Sequence, residues 1–336
     1  MRIGYILDEN FIVPAAVSIY SLLYNNRHMK DIRLFILDDG IAAASKYKLR
    51  KMVESFDREL VFIDASPVGV KIAKLTDNHW NGSYSTYSRL FLNTLLPDCD
   101  EKVIFIDADT IVHGKLDGIE DIDLEEKLFA AVLEAMPYEY HLHSRLKNRE
   151  LINSGFMVID LKKWREAKAE QKILYFLKEV CDRNMLTEED VLSKVFYGKV
   201  KILSPEFNYL TQYYLYASDF YYRFFGWDKL NKRGVFYSLD EIDKAKQKAV
   251  VYHCIDTYTN RPWFSNNIHP YVKLFDRYYY RTPWGNERKT FGKLKLSNSL
   301  ELVVRRILPH NSSRLFYAVA VKLYYGPKAR HYYHKR

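Results

Sequence analysis

Short apolar runs alternate with amphipathic stretches along most of this chain. Runs of strand length, rich in Val, Ile, Leu and Phe, predict β-strands at residues 2–7, 33–37, 60–63, 102–106, 129–133, 156–159, 199–203 and 249–252. Helical spacing predicts helices from Pro14 onward and at residues 45–56, 84–96 and 162–183, and Thr187 with Asp190 resembles a capping box that would open another. Strands that alternate with helices predict an α/β fold with a doubly wound, mainly parallel sheet.

The strand predicted at residues 102–106 ends in two carboxylates, Asp107 and Asp109. Side chains two positions apart on an extended segment point the same way, and open α/β sheets bind ligands at the carboxyl ends of their strands. Two carboxylates this close repel each other unless a cation lies between them, so the pair predicts a divalent metal site. The alternative is that one acid is a turn residue and the other caps a helix.

The composition allows one large domain or two smaller ones, because 48% of the 336 residues are hydrophobic. Three cysteines, Cys99, Cys181 and Cys254, form no Cys-x-x-Cys pair, which argues against a zinc or redox site and fits a reducing compartment. The first ten residues are too acidic and too short in their apolar run for a signal peptide. No run of eighteen apolar residues predicts a membrane-spanning helix.

Positive charge is concentrated at the end of the chain. Residues 288–336 contain twelve Lys or Arg and one acid, a net charge of +11, which leaves −2 for residues 1–287 because the total is +9. The apolar positions of this tail follow helical spacing: Leu300, Val303, Val304, Ile307 and Leu308, then Leu315, Val319 and Leu323. A basic amphipathic helix pair is typical of binding to an anionic membrane surface, and the alternative is a pair packed on the body. No RNA-binding motif occurs, so no nucleic-acid partner is expected.

Several separated motifs carry a resemblance to a known family. They are Asp8-Glu9-Asn10-Phe11, Ser85-Thr86-Tyr87-Ser88-Arg89-Leu90, Phe105-Ile106-Asp107-Ala108-Asp109, Asn153-Ser154-Gly155, Leu161-Lys162-Lys163-Trp164, Tyr252-His253-Cys254 and Arg261-Pro262-Trp263. Over about residues 1–265 the chain resembles glycosyltransferase family 8, and within it the bacterial lipooligosaccharide α-galactosyltransferases. The resemblance implies a GT-A fold, a Rossmann-like arrangement of a mainly parallel sheet flanked by helices. With the charge pattern, we expect a catalytic domain at residues 1–285 and a basic helical tail at 286–336.

The resemblance also implies a role for individual side chains in binding a UDP-sugar. The nucleotide-sugar residues would be Asp8, Asn10 and Phe11 at the uracil end, and Arg89, Asp107, Ala108, Asn153 and Arg261 along the diphosphate and sugar. The metal ligands would be Asp107, Asp109 and His253. On its own, a histidine such as His253 at a strand end is more often structural. An imidazole beside two carboxylates favours Mn²⁺, with Mg²⁺ as a substitute.

Two segments depart from the family pattern. Asp256 stands where the family has Gly, in a loop about two residues longer, and Arg261 replaces a Lys. Thr187-Glu188-Glu189-Asp190 stands where close relatives have Gln-Asp-Gln-Asp, so that Glu189 places a carboxylate near the reacting sugar. Glu188, Glu189 and Asn153 are therefore the candidate catalytic residues. Glu189 would stabilise or attack the anomeric carbon, whereas acids at a helix start also favour the helix dipole without any catalytic role.

These expectations describe a retaining, UDP-sugar-dependent hexosyltransferase that moves galactose or glucose to a cell-surface glycan, glycolipid or glycoprotein. The expected location is cytoplasmic, on the inner face of the cell membrane. A haloacid dehalogenase-type phosphatase is the alternative, because Asp107-Ala108-Asp109-Thr110 also fits its motif, although no Gly-Asp follows anywhere in the chain. An inactive scaffold relative is a further alternative. The tyrosines between Phe207 and Trp227 are interpreted either as an acceptor platform or as core packing.

Overall fold

The computed structural model describes residues 1–75, 85–97, 99, 101–143, 149–179, 187–257, 259–292 and 310–333. Within these residues the strands are β1 (Arg2–Leu7), β2 (Arg33–Asp38), β3 (Leu60–Asp64), β4 (Lys102–Ile106), β5 (Thr110–Val112), β6 (Phe129–Leu133), β7 (Ile152–Asp160), β8 (Val200–Ile202), β9 (Tyr209–Leu210) and β10 (Val251–His253). The α-helices are α1 (Ile12–Asn25), α2 (Ala43–Glu54), α3 (Ser66–Ala73), α4 (Leu92–Leu95), α5 (Tyr138–His143), α6 (Leu161–Glu166), α7 (Ala169–Glu179), α8 (Glu188–Val195), α9 (Thr211–Tyr216), α10 (Asp219–Phe224), α11 (Trp227–Asn231), α12 (Leu239–Lys248), α13 (Val272–Tyr279) and α14 (His310–Tyr333). Short 3₁₀ helices lie at Glu9–Phe11, Ser85–Phe91 and Pro205–Asn208.

The larger sheet has seven strands in the order β3-β2-β1-β4-β7-β6-β8. Neighbouring strands are parallel except where β7 pairs with β4 and with β6. The carboxyl ends of β1, β4 and β6 therefore meet the amino end of β7 at one edge of the sheet. Asp8, Asp107, Glu134 and Asn153 lie at that edge, and the mainly parallel α/β fold predicted from the sequence is confirmed.

Strand β4 is buried on both faces, as its continuous apolar run predicts. Ile104 and Ile106 belong to the core on one side of the sheet, and Val103 and Phe105 to the core on the other. Gly4 of the neighbouring strand lies against Phe105, and a Cβ at this position would come within 2.9 Å of the Phe105 ring. A fully packed central strand of this kind gives the carboxylates that follow it a rigid support.

A smaller sheet of β5, β10 and β9 lies next to the edge where the acids meet. Strand β10 pairs with β5 in antiparallel fashion, so that His253 lies opposite Thr110. The backbone N–H of Cys254 also donates to the carbonyl of Asp109, at 2.8 Å. This short sheet is what brings His253, far away in sequence, to the carboxylate pair.

Two helix predictions need correction. Residues 85–96 form a 3₁₀ helix, Ser85–Phe91, followed by the short α4, and every residue from Tyr87 to Leu92 is buried. The predicted helix at 162–183 is two helices, α6 and α7. Lys168 between them adopts a left-handed backbone with a φ of 53°, which ends one helix before the next begins. Tyr84 and residues 180–186, including Cys181, lie outside the described residues.

The tyrosine-rich stretch packs mainly into the core. Tyr209, Tyr213, Tyr216, Tyr221 and Tyr222 are all at most 7% exposed. The acceptor-platform interpretation is therefore wrong for these rings.

The end of the chain contacts the body of the protein. Two residues that follow position 285 contact the body. Glu287 pairs with Lys48 at 3.0 Å, and the N–H of Gly292 donates to the side chain of Asn266. Helix α14 lies along α5 and α10, where Lys322 pairs with Glu139 at 3.3 Å. The apolar positions from Leu300 to Leu308 lie outside the described residues. No helix among the described residues combines the length and the apolar character needed to cross a bilayer.

Candidate active site

Asp107, Asp109 and His253 form a compact cluster at the carboxyl edge of the sheet. Each offers one ligand atom, and these atoms lie within 4.8 Å of one another. The Nε2 atom of His253 is 3.1 Å from Asp109 Oδ1 and 3.8 Å from Asp107 Oδ2. Two carboxylate oxygens and an imidazole nitrogen are a donor set suited to a divalent first-row metal, so the residues fit the metal site that the sequence predicts.

Each carboxylate of this cluster also contacts an arginine. The Nη2 of Arg89 donates to Asp107 Oδ1 at 2.6 Å, and Arg261 donates to Asp109. Burial alone would raise the pKa of Asp109, but the charges of His253 and Arg261 hold that pKa well below its usual range. Each carboxylate of the pair is therefore bonded to an arginine, and both arginines lie beside the candidate metal site.

A bulge in β7 supplies the backbone next to this cluster. The pairing with β6 moves from Ala131 opposite Met157 to Val132 opposite Asn153, so three residues of β7 have no partner in β6. The carbonyls of two of these residues turn toward the site. Ser154 O accepts from Arg89 Nη1 at 2.6 Å, and Gly155 O accepts from the N–H of Asp107 at 2.9 Å.

The three acids that open α8 divide into two roles. Asp190 completes the capping box with Thr187 and accepts a hydrogen bond from Tyr140 Oη at 2.8 Å, so it is structural. Glu188 and Glu189 instead accept from Ser154: its hydroxyl lies 3.2 Å from Glu188 Oε1, and its backbone N–H lies 2.9 Å from Glu189 Oε1. The helix start thus presents two carboxylates to the cluster, while the third forms the cap.

The pKa values of these two glutamates are shifted upward. Burial raises the pKa of Glu189 well above its usual range, and the charges of Glu134 and Glu188 add to the effect. Burial also raises the pKa of Glu188, against the opposing influence of Arg89. Carboxyl groups with raised pKa values in a cleft are frequent at catalytic sites.

The residues predicted to bind the nucleotide lie beside the metal cluster. Asp8 Oδ1 accepts from the N–H of Phe11 at 3.1 Å, and its second oxygen is 3.3 Å from the exposed Asn10 amide. The guanidinium of Arg261 lies 5.7 Å from the Phe11 ring and 5.2 Å from the Trp263 ring. The structure therefore brings Asp8, Phe11 and Arg261 to one end of the site. Ala108 is buried in the turn between the two aspartates.

Sequence reasoning missed two buried polar residues of this site. Glu134, 5% exposed, directly follows strand β6, and the strand-end rule that identified Asp107 would have found it. Asn208, fully buried at the end of a 3₁₀ helix, contacts His253 and carries no signal in the sequence. The side chain of Asp256, which stands where the family pattern has Gly, is exposed. Asn260 has a left-handed backbone with a φ of 56°, and the turn it makes directs Arg261 towards Asp109.

Comparison with known proteins gives consistent results. The sequence matches the model of a family described as Glycosyl transferase family 8 over residues 2–267. It is 25% identical to a lipopolysaccharide 1,2-glucosyltransferase of Escherichia coli over 85% of this chain and 80% of that protein. It is 24% identical to a lipopolysaccharide 1,3-galactosyltransferase of Salmonella typhimurium over 85% of this chain and 79% of the other. Among solved structures, the galactosyltransferase LgtC with donor and acceptor sugar analogues is 21% identical, with a TM-score of 0.66 over 84% of this chain and 96% of that one. That structural likeness shows a shared fold.

Proposed function

Because this chain belongs to glycosyltransferase family 8, we propose that it transfers galactose or glucose from a UDP-sugar to a glycan, with retention of anomeric configuration. The observation that carries the proposal is the cluster of Asp107, Asp109 and His253, with one arginine on each carboxylate. The lipopolysaccharide glucosyl- and galactosyltransferases among its relatives support a hexose donor. They also support an acceptor on the cell surface, which is a glycan, a glycolipid or a glycoprotein.

The proposed chemistry places each residue at one step of the transfer. A Mn²⁺ ion held by Asp107, Asp109 and His253 would neutralise the charge that develops on the leaving diphosphate. Arg89 and Arg261 exchange part of their contact with the aspartates for charge-assisted hydrogen bonds to phosphate. Asp8 and Phe11 orient the uracil, and Asn153 binds a hydroxyl of the donor sugar.

Glu188 and Glu189 act at the sugar end of the same site. The Ser154 N–H holds Glu189 Oε1 and so fixes the direction of this carboxylate. As an anion near the anomeric carbon, Glu189 has two possible routes. It either stabilises the oxocarbenium-like transition state while the acceptor enters on the face from which UDP leaves, or it attacks the anomeric carbon, displaces UDP and is then displaced by the acceptor. Both routes retain configuration. Glu188 accepts a hydrogen bond from the Ser154 hydroxyl and adds a second negative charge beside the donor sugar.

One assay separates this proposal from its alternatives. The protein is incubated with UDP-galactose, UDP-glucose and UDP-N-acetylglucosamine in the presence of Mn²⁺, and UDP release is followed, with a generic phosphatase substrate in parallel. We expect UDP release from a hexose donor and no phosphatase activity. Family membership already argues against the haloacid dehalogenase alternative. No UDP release with any donor would favour the inactive-scaffold alternative.

Asp109→Asn tests the metal cluster within this assay. The change removes one carboxylate charge while keeping the side-chain shape. Loss of a preorganised electrostatic group costs about a hundredfold or more in turnover. The control is Asp117→Asn, because Asp117 is exposed and paired with His28, which is not part of the cluster. Equal activity of wild type and Asp109→Asn would place the metal elsewhere.

We also propose that the tail brings the enzyme to an anionic membrane surface at the cytoplasmic face. The support is its charge and the arrangement of α14. One side of this helix packs on the body through Ser313 and Ala318, which are at most 2% exposed. The other side exposes Leu315, Phe316 and Leu323, at 39%, 48% and 63%. Apolar side chains beside basic residues are typical of interfacial helices.

A further inference from the structure

Four buried side chains form a continuous line of hydrogen bonds across the site. Asn153 Nδ2 donates to Glu134 Oε2 at 2.6 Å, Asn208 Nδ2 donates to Asn153 Oδ1 at 2.6 Å, and Asn208 Oδ1 is 3.0 Å from His253 Nδ1. Each of these residues is at most 5% exposed. Buried polar groups of this kind must satisfy one another, because water cannot replace a missing partner.

One backbone group fixes the direction of every bond in this line. The N–H of Gly155 can only donate, and it lies 2.9 Å from Asn153 Oδ1. The Asn153 oxygen must therefore face Gly155, so its amide nitrogen faces the Glu134 carboxylate, which accepts. Reversing the Asn153 amide would place an N–H₂ group against the Gly155 N–H and an oxygen against a carboxylate.

The same constraint passes to Asn208. Because Asn153 Oδ1 is an acceptor, the group of Asn208 that meets it at 2.6 Å must be the amide nitrogen. The amide oxygen of Asn208 is then left facing His253 Nδ1. An amide oxygen cannot donate, so His253 Nδ1 must carry a proton.

We infer that Asn208 is a positioning residue that keeps the Nδ1 of His253 protonated, so that Nε2, which faces Asp109 at 3.1 Å, is the nitrogen that gives up its proton to bind a metal between Asp107 and Asp109. The inference rests on the proposed function, since it gives His253 the role of a metal ligand. Two further features bear on the placement of this histidine. Thr211 Oγ1 donates to the backbone carbonyl of His253 at 2.8 Å, and Gly155 leaves room for the imidazole ring, because a Cβ there would lie 2.4 Å from His253 Nδ1. Partners of this kind set the tautomer and orientation of metal-binding histidines.

The test measures the affinity for Mn²⁺ in the presence of UDP, by calorimetry on the full chain with a blank for Mn²⁺ and UDP alone. We expect Asn208→Ala to weaken Mn²⁺ binding about 10- to 100-fold, the range found when such an outer partner is removed. In the His253→Ala background the same change should have no further effect, because Asn208 acts only through the imidazole. The control is Asn26→Ala, which removes another buried amide, bonded to Leu22 O and Leu116 N, and should leave Mn²⁺ affinity unchanged.

Other results would overturn the inference. If His253→Ala weakens Mn²⁺ binding and Asn208→Ala does not, or if the two losses simply add, Asn208 does not position the ligand. If His253→Ala leaves Mn²⁺ affinity unchanged, the proposed metal site itself fails.

A second measurement needs no variant. In the ¹⁵N-histidine spectrum of the wild-type protein with UDP and diamagnetic Mg²⁺, we expect a proton on His253 Nδ1, and an unprotonated Nδ1 would contradict the inference.

Discussion

Glu189 is one of two carboxylates that the start of α8 presents next to the metal cluster. Its carboxylate shares Ser154 with Glu188 and lies near Glu134, so three acids compete for one region of the site. Burial and the two neighbouring charges raise its pKa well above the usual range. The ionised form is therefore costly in the empty site, and a positive charge developing on the sugar is what would stabilise it.

Replacing Glu189 with the nearly isosteric Gln tests this role. We expect Glu189→Gln to lower kcat and kcat/KM by a similar factor while UDP-sugar affinity is kept, because the carboxylate acts in the transition state. Since its pKa is raised, the ionised fraction grows with pH, and the wild-type rate should rise through that pKa while the variant lacks this step. Steady-state kinetics across pH measure both. A variant with wild-type kcat would leave Glu189 as a helix-start acid only.

His269 is a second residue whose protonation has a measurable consequence. It is 1% exposed, its Nδ1 accepts from the N–H of Tyr271 at 3.2 Å, and its Nε2 is 3.1 Å from the Thr211 hydroxyl. Burial, and then the charge of Arg261, lowers its pKa to about 3. The neutral ring is thus part of the support of His253, because Thr211 also holds the carbonyl of that residue.

The lowered pKa predicts a loss of stability in acid. In the unfolded chain the imidazole protonates below about pH 6.5, whereas in the folded protein it stays neutral down to about pH 3. The stabilisation is complete above pH 6.5 and is lost as the pH falls towards 3. Between pH 7 and pH 5 this one group should lower the free energy of unfolding by about 2 kcal/mol.

Denaturant unfolding of His269→Asn checks this expectation. Asn can still accept from the Tyr271 N–H but does not titrate in this range. Whatever the overall stability of the variant, its free energy of unfolding should decrease less between pH 7 and pH 5 than that of the wild type. An equal loss in both proteins would assign the acid sensitivity to other groups.

At the scale of elements, the site depends on a bulge that the sequence does not reveal. The apolar runs of β1, β2, β4 and β6 were enough to predict those strands and the mainly parallel sheet. The first residues of β7, Ile152 to Gly155, were missed because a strand that turns polar side chains and carbonyls into a site has no regular alternation. Likewise, Asn208 and His253 are far apart in sequence, and the pairing of β9 with β10 brings their side chains into hydrogen-bond contact. Long-range contacts of this kind leave no periodic pattern in a sequence.

Gly155→Ala tests the bulge. A methyl group there would lie 2.4 Å from the His253 ring and 2.9 Å from Asn153 Oδ1, so the imidazole has to move. We expect weaker Mn²⁺ binding and at least a tenfold drop in turnover, since displaced outer contacts cost about 10- to 100-fold in metal affinity or activity. The matched control is Gly69→Ala in α3, where a Cβ meets nothing within 4 Å. Equal Mn²⁺ affinity in both variants would show that the ring does not need this space.

At the scale of the whole molecule, the segment that carries the net charge is not separate from the packed body of the protein. Residues 1–292 carry no net charge, and residues 293–336 carry the full +9 of the protein. Helix α14 is nevertheless docked: Arg314 donates to the carbonyl of Leu215 at 3.1 Å, and Lys322 lies 4.7 Å from the Phe224 ring. The proposed division after residue 285 would cut through residues that contact the body, so a cut after Gly292 is the better test of whether the catalytic part folds by itself.

Variants of the exposed side of α14 test membrane binding without removing the helix. Phe316→Ser with Leu323→Ser keeps the net charge and the packed side, and it removes two exposed apolar side chains. The control is Tyr47→Ser with Tyr175→Ser, which removes two exposed aromatic rings, 62% and 68% accessible, from helices of the body. All three proteins are sedimented with neutral and with anionic vesicles at increasing salt.

We expect the wild type and the control to bind anionic vesicles, with binding that falls steeply as salt rises, because each Lys or Arg near the surface adds about 1 kcal/mol that salt screens. The α14 variant should keep the weak electrostatic attraction but lose most of the bound fraction, since its apolar contribution is gone. UDP release from the donor in solution should be the same in all three, because the changed side chains are exposed and belong to neither the metal cluster nor the nucleotide site. Equal vesicle binding by the variant and the control, or no binding by the wild type at low salt, would make α14 a purely structural helix that does not bind membranes.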